Sequence, residues 1–203
     1  SDLIQIPVFS LQTSQREMVA SLYADEFAES HTKDILVRQH LGAPIPSAGV
    51  GTALTRNYVK AMKKKKGVLF NSSTETEDYQ LGLLSYELGL KTEFACYYYK
   101  KDKKKYFVAT QEFFPKSFNA SIRQRSRWIL GVAYQGYTAL GWRGSLIHKY
   151  FLYRDRKSPL ASILTMTGLA LAAPVFFLNH SSQPVLLKEV ILLTSLSLLF
   201  TLN

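Results

Sequence analysis

Thr76-Glu77-Asp78 and Gln124-Arg125-Ser126-Arg127-Trp128 are the two polar clusters whose residue types suit catalysis. A carboxylate such as Asp78 can take a proton from a hydroxyl, guanidinium groups can hold a phosphate, and an indole can stack on the apolar face of a sugar. Further along, from Ser158 to Leu187, the chain has no Lys, Arg, Asp or Glu. An acid/base carboxylate, an Arg/aromatic cluster and an apolar stretch together suit the transfer of an activated sugar at a membrane.

These side chains work only if helices hold them. Thr74-Glu75-Thr76-Glu77 fits a capping box opening a helix that runs through Leu88 and closes at Gly89. Asp78 then lies in the first turn beside Glu77, where the helix dipole favours a negative carboxylate. The plainer role for Glu75, Glu77 and Asp78 is to cap the helix and complement that dipole. Ser117 is expected to cap a second helix, from Phe118 to about Leu140. At about 100° per residue, Gln124, Arg127, Trp128 and Gly131 share one stripe, whereas Phe118, Ile122, Ile129, Val132 and Ala133 share another. The polar stripe offers an amide, a guanidinium and an indole to a ligand, and the apolar one is expected to bury against the core or a membrane surface. The alternative is a basic interfacial helix with Trp128 at the headgroups.

Leu3 to Leu11 reads as a strand with Pro7 at its edge, and Ser14 to Ala28 as a helix with Met18, Leu22 and Phe27, together with Val19 and Tyr23, at helical spacing. Gly42 to Thr55 is rich in Gly, Pro, Ser and Ala, a loop whose backbone can approach a ligand closely. Asn57 to Met62 is expected to form a short helix and Val68 to Phe70 a short strand. Lys91 to Tyr99 and Tyr106 to Phe114 are expected to be strands joined by a lysine-rich turn, with the lone Cys96 buried in the first.

The net charge of +10 comes mostly from two tracts, Lys63 to Lys66 and Lys100 to Lys105. Neither is interleaved with the Arg and aromatic pattern of a base-reading surface, so no nucleic-acid partner is expected; both are expected to be solvated loop tips. A single cysteine excludes a disulfide framework within the chain, and His31, His40, His148 and His180 lack the spacing of a metal site.

Leu160 to Leu178 is uncharged and long enough to cross a bilayer core of about 30 Å at about 1.5 Å per residue. After a polar turn at Asn179 to Gln183, Val185 to Leu202 begins a second span. Arg143, Lys149, Arg154, Arg156 and Lys157 precede the first span and the turn carries no Lys or Arg, which puts the polar part on the cytoplasmic side. A buried helical hairpin of a soluble protein is the alternative. The first residues lack the basic and apolar regions of a signal peptide and the last interrupt an apolar run, so a fragment of a longer polypeptide is expected.

Thr-Glu-Asp followed by Gln-x-x-Arg-Trp and then membrane helices resembles the family 2 processive glycosyltransferases, the group of cellulose, chitin and hyaluronan synthases. Asp2 to Val8, Pro46 to Thr52 and Tyr153 to Lys157 resemble, more closely, an inner-membrane branch of that group. The resemblance implies an α/β chain: residues 1–116 as the acceptor-side half of a GT-A domain, 117–157 as an interfacial helix region, and 158–203 as two transmembrane helices. It implies that Asp78, with Thr76 and Glu77, is the catalytic element of an inverting hexosyltransfer. It also implies that Gln124, Arg125, Arg127 and Trp128 line the acceptor and diphosphate site, and that Gly49, Gly51 and Thr52 form an acceptor-side loop. The partners implied are a nucleotide-sugar donor, a polysaccharide acceptor, membrane lipid and an outer-membrane export protein. The location implied is the bacterial inner membrane, with the catalytic domain in the cytoplasm. No Asp-x-Asp occurs in this sequence, so the divalent ion of the family, Mg or Mn, is expected to have its ligands elsewhere, and this chain is expected to be inactive alone. A rival expectation is a non-catalytic basic adaptor that binds anionic lipid or a protein.

Overall fold

A computed structural model describes residues 1–11, 17–177 and 192 of the chain. It divides into two compact units, Ser1–Leu152 and Tyr153–Asn203. The first unit is mixed α/β, as expected. Strand β1 (Leu3–Gln5) lies between β3 (Thr52–Leu54), to which it runs antiparallel, and β4 (Thr92–Phe94), to which it runs parallel. The single strand expected over Leu3 to Leu11 is broken after Gln5. Pro7 has no N–H for a ladder, and its carbonyl accepts the Thr110 N–H at 2.9 Å, so β2 (Val8–Ser10) leaves the first sheet and pairs in parallel with β7 (Thr110–Glu112).

The aromatic run after Lys91 is broken in the same way. Beyond β4 the chain bends at Cys96, which is half-buried outside any strand rather than inside one. It then forms a hairpin from β5 (Tyr98–Lys101) and β6 (Lys104–Phe107), so the second lysine tract builds both strand ends as well as the turn. The first tract is not a loop tip: Lys63 to Lys66 form the last turn of α3 (Arg56–Lys66), which ends at Gly67 in the left-handed conformation. Val68 to Phe70 is not a strand. With no strand beside it, Val68 and Phe70 stay exposed.

Two long helices are each interrupted by one π-helical turn. The first consists of α1 (Met18–Glu29), the turn Ser30–Asp34 and α2 (Ile35–His40). The second consists of α5 (Phe118–Ile129), the turn Leu130–Gln135 and α6 (Gly136–Leu140), with Ser117 capping as expected by accepting the Ala120 N–H at 3.4 Å. Between them, α4 (Glu77–Glu87) is the central helix, with every residue from Tyr79 to Ser85 buried. Leu81, Leu83 and Leu84 pack with Leu3, Tyr58, Met62 and Leu140 in the main core, and Ile35, Ile45 and Phe94 form a second cluster. The Tyr58 hydroxyl donates to the Leu81 carbonyl, fastening α3 to α4, and burial pushes that phenol well above its usual pKa.

The expected capping box is not formed. Thr74 turns back to Asn71, whose carbonyl accepts from its N–H at 3.2 Å and its hydroxyl at 3.1 Å, while the Asn71 side chain takes the Ser73 hydroxyl at 2.7 Å. That local turn competes with a helix start, and α4 begins later, with Thr76 at the N-cap position and no side-chain cap bond.

The first unit ends within α7 (Leu146–Arg156), and α8 (Ser158–Phe177) belongs to the second unit. Helix α8 occupies the place of the first expected span. Its hydroxyls fold back on its own backbone: Ser162, Thr165 and Thr167 donate to the carbonyls of Ser158, Ala161 and Ile163 at 2.8–2.9 Å. Among the described residues no helix is long and apolar enough to cross a membrane; the side chains described in α8 end at Ala170. Apart from Leu192, the expected turn and second span lie outside the described residues.

Candidate active site

Asp78 sits in the first turn of α4, half-buried, on a helix that the core fixes from all sides. Its Oδ1 accepts the Tyr79 backbone N–H at 2.7 Å. Its other oxygen faces the loop before β3: a Cβ added at Gly49 would stand 3.0 Å from Asp78 Oδ2. Gly49 has φ +76°, so a side chain there would be both strained and in the way of the carboxylate. Burial raises the Asp78 pKa above the usual aspartate range, the neighbouring Glu77 charge adds to that, and the Tyr79 bond and the Arg127 charge oppose it.

The wall opposite Asp78 hangs on Gln5, whose side chain is fully buried at the end of β1. Its amide donates to the carbonyls of Ile6 at 2.8 Å and Val50 at 2.9 Å, and its Oε1 accepts from the Ala48 N–H at 2.9 Å and the Thr52 hydroxyl at 2.6 Å. Since the Thr52 proton goes to Gln5, the 2.7 Å contact between Ser47 and Thr52 must run from the Ser47 hydroxyl to Thr52. Ser47 in turn accepts the Gly49 N–H at 3.1 Å. Gly49 thus stands at the end of a polarised chain of bonds. One turn on from Asp78, on the same face of α4, Gly82 presses against this loop, where a Cβ would fall 2.5 Å from the Ile45 carbonyl oxygen and 2.7 Å from Pro46 Cα.

The second cluster meets the first. Arg127 donates from Nε to Glu75 at 2.8 Å, and Gln135 accepts the Glu75 N–H at 2.8 Å. Between them, in the π-helical turn, a Cβ on Gly131 would stand 2.5 Å from Thr76 Cγ2 and 2.8 Å from Thr76 Cβ. Only a glycine lets the two helices approach so closely. Thr76 Oγ1 at this contact, Gln80 Nε2 one turn further along α4 and Gln124 Oε1 two turns before Gly131 are buried with no hydrogen-bond partner among the described residues.

Trp128 and Arg125 are engaged with α1. The Trp128 ring packs on Tyr23 and Phe27, centroids 5.9 and 6.0 Å away, in an aromatic group completed by Phe114. Arg125 pairs with Glu26 at 2.6 Å and lies 4.7 Å over the Tyr23 ring. Of the stripe expected to be apolar and buried, Val132 packs on the main core, but Phe118 and Ile122 are exposed and border a groove of about 370 Å³ shared with Val19 and Leu22 of α1. The π-helical turn accounts for the split, because its extra residue rotates the downstream half of the helix relative to the upstream half.

The structure therefore gathers Gly49, Thr76, Asp78, Arg127 and Gly131 in one place, with Thr52 and Gly51 behind the wall. Gln5, Ser47, Glu75 and Gln135 were missed by sequence reasoning. For Gln5 a signal existed, since it alternates with Leu3 and so shares its inward face. Among the described residues no group of three or more His, Cys, Asp or Glu could hold a metal ion, so they do not fit the divalent ion that the resemblance implies.

A profile described as glycosyl transferase family group 2 matches residues 1–196. Bacteriophage adsorption protein B of Escherichia coli K12 is 34% identical over 182 residues, covering 83% of this chain, and bacteriophage N4 adsorption protein B of Escherichia coli O157:H7 matches equally. The chain spans 24% of the length of these curated relatives. No solved structure matches.

Proposed function

This chain belongs to glycosyl transferase family group 2, and from that premise we propose that it is the acceptor-side part of a membrane-bound inverting glycosyltransferase that adds a hexose to a growing polysaccharide. In this reading residues 1–116 complete a GT-A domain, 117–157 carry the interfacial helix region, and 158–203 enter the membrane as two helices, with the catalytic side in the cytoplasm of a bacterial inner membrane. The uncharged sequence of α8 and the inward bonding of its hydroxyls support an apolar setting for it.

One observation carries the chemistry: a half-buried carboxylate of raised pKa, one oxygen tied to the backbone and the other beside a glycine, at the junction of two motifs far apart in sequence. An acceptor hydroxyl approaching past Gly49 gives its proton to Asp78 Oδ2 as its oxygen bonds to the anomeric carbon of the donor. The bond from that carbon to the nucleoside diphosphate breaks, and the electron pair leaves with the diphosphate. Inversion results because attack and departure are on opposite faces. Thr76 and Glu77 position the helix start, and Gln124 offers a buried amide to the acceptor. Arg127 faces the leaving diphosphate from its ion pair with Glu75, while Arg125 and Trp128, against α1, hold α5 at the sugar site. The divalent ion would have its ligands outside this chain, which for that reason is inactive alone. An export protein in the outer membrane receives the product.

The test uses the full-length protein. With Asp78→Asn, release of nucleoside diphosphate from sugar nucleotides falls by about 10²–10⁴-fold; an unchanged rate sinks the reading.

A further inference from the structure

The β5–β6 hairpin carries five lysines and one aspartate between Lys100 and Lys105 and takes no part in the site just described. Both cross-strand pairs at its tip are lysine on lysine, Lys100 opposite Lys105 and Lys101 opposite Lys104. Lys103 lies in the turn between them at φ +61°, next to Asp102 at φ +51°, the paired positive values of a tight hairpin turn. Like charges set directly opposite one another weaken a strand pair. Among the described residues the ion pairs engage other cations, Lys33, Lys65, Lys116, Arg125, Arg127 and Arg143, and none of these five lysines. The hairpin thus bears a repulsion that an external anion would relieve.

Its base is aromatic. Tyr97, Tyr98, Tyr99, Tyr106 and Phe107 are 41–61% exposed, and all but Tyr97 make a ring contact with a neighbour. Tyr99 stacks on Tyr106 at 5.5 Å, Phe107 meets Phe9 at 5.7 Å, and the Lys105 ammonium covers Tyr98 at 4.7 Å. Each of these contacts covers one side of a ring, and every residue of both strands is exposed, so the hairpin projects as a prong. A prong that is cationic at the tip on both faces and ringed by tyrosine edges suits a broad, diffusely negative surface with an amphipathic boundary.

We propose that this hairpin docks on the anionic headgroups of a phospholipid bilayer, the lysines on lipid phosphates and the aromatic collar at the headgroup boundary. The proposal rests on the membrane association above and is independent of the transfer chemistry. It gives the first unit a membrane contact of its own, apart from the apolar helix that comes after Arg154, Arg156 and Lys157.

The test places the full chain in nanodiscs of phosphatidylcholine alone or with about 30% phosphatidylglycerol, and measures hydrogen exchange of residues 97–108. Exchange is expected to slow at least about fivefold in the anionic discs and to recover at about 0.5 M NaCl. Replacing Lys100, Lys101, Lys103, Lys104 and Lys105 with Gln abolishes the lipid dependence, replacing them with Arg retains it, and replacing Lys63 to Lys66 with Gln leaves it in place. The Gln hairpin is free of the repulsion, and its exchange in neutral discs verifies that it folds. Equal exchange in the two lipids, or anionic protection that survives the hairpin Gln variant, overturns the proposal. So does equal protection by soluble alginate in neutral discs, which would make the partner an acidic polysaccharide. Failure of the chain to enter either disc overturns the membrane reading itself.

Discussion

The loop that carries Gly49 and the contact between α4 and the long helix of α5, the π-helical turn and α6 are both lined with buried polar side chains, but their hydrogen-bonding states are opposite. In the loop, Gln5 uses both donors and both acceptor positions of its amide, and Ser47 and Thr52 extend the same chain. At the helix contact, Thr76 Oγ1, Gln80 Nε2 and Gln124 Oε1 are buried with no partner among the described residues. A satisfied network fixes a shape, whereas an unsatisfied one carries a standing cost that a ligand or water can remove. On the function proposed above, this difference suits the loop to rigid framing and the helix contact to ligand recognition.

Substitutions can break or sharpen that contrast. The largest effect is expected at the carboxylate between the two regions. In the full-length protein Asp78→Asn removes about 10²–10⁴ of the transfer rate, while thermal unfolding shows no loss of stability. The sign comes from the raised pKa. Below the ordinary aspartate value both folded and unfolded carboxyls are protonated, and as pH rises the folded state loses stability because its carboxyl resists ionising. Removing that carboxyl relieves the penalty at neutral pH. By the same shift, the parent rate declines on acidification at a pH above that typical of a free aspartate, read from a pH–rate profile.

Next in size is Gln5→Leu, which strands the Ala48 N–H and the Val50 carbonyl inside the wall; unfolding in urea should show a loss of about 3 kcal/mol. Gly131→Ala drives a methyl into Thr76 and should cost about 2 kcal/mol, partly recovered in the double variant with Thr76→Ala, a coupling visible in a double-mutant cycle. The smallest effect is the most diagnostic. Gln80→Leu should leave stability unchanged or raise it by up to about 1 kcal/mol, opposite in sign to the same replacement at Gln5. A loss as large as that at Gln5 would erase the distinction between wall and contact.

Much of this was legible in the chain. Asp78 at a helix start, the Ser117 cap and the long helix with its Gln-x-x-Arg-Trp cluster emerged from spacing and cap chemistry. What escaped was non-local. Strand ends were misjudged because Pro7 transfers pairing from one sheet to another, a choice that depends on where Thr110 lies. The α4 start was misjudged because Asn71 captures Thr74, one local turn winning over another of similar strength. Val68 to Phe70 has strand-like composition, but composition cannot supply a neighbouring strand. Gln5 reads as an ordinary polar residue until the loop some forty-five residues later is folded over it.

The π-helical turn at Leu130–Gln135 sets the angular phase between two halves of one rod. Upstream of it Arg127 reaches the Glu75 carboxylate, and its own last residue, Gln135, accepts from the backbone N–H of the same glutamate. A uniform α-helix of this sequence would set residues 127 and 135 about 80° apart around the axis, and the extra residue of the π turn narrows that offset. The irregular turn therefore acts as a clasp, and its geometry makes the helix length between residues 127 and 135 as much a part of the site as the side chains themselves.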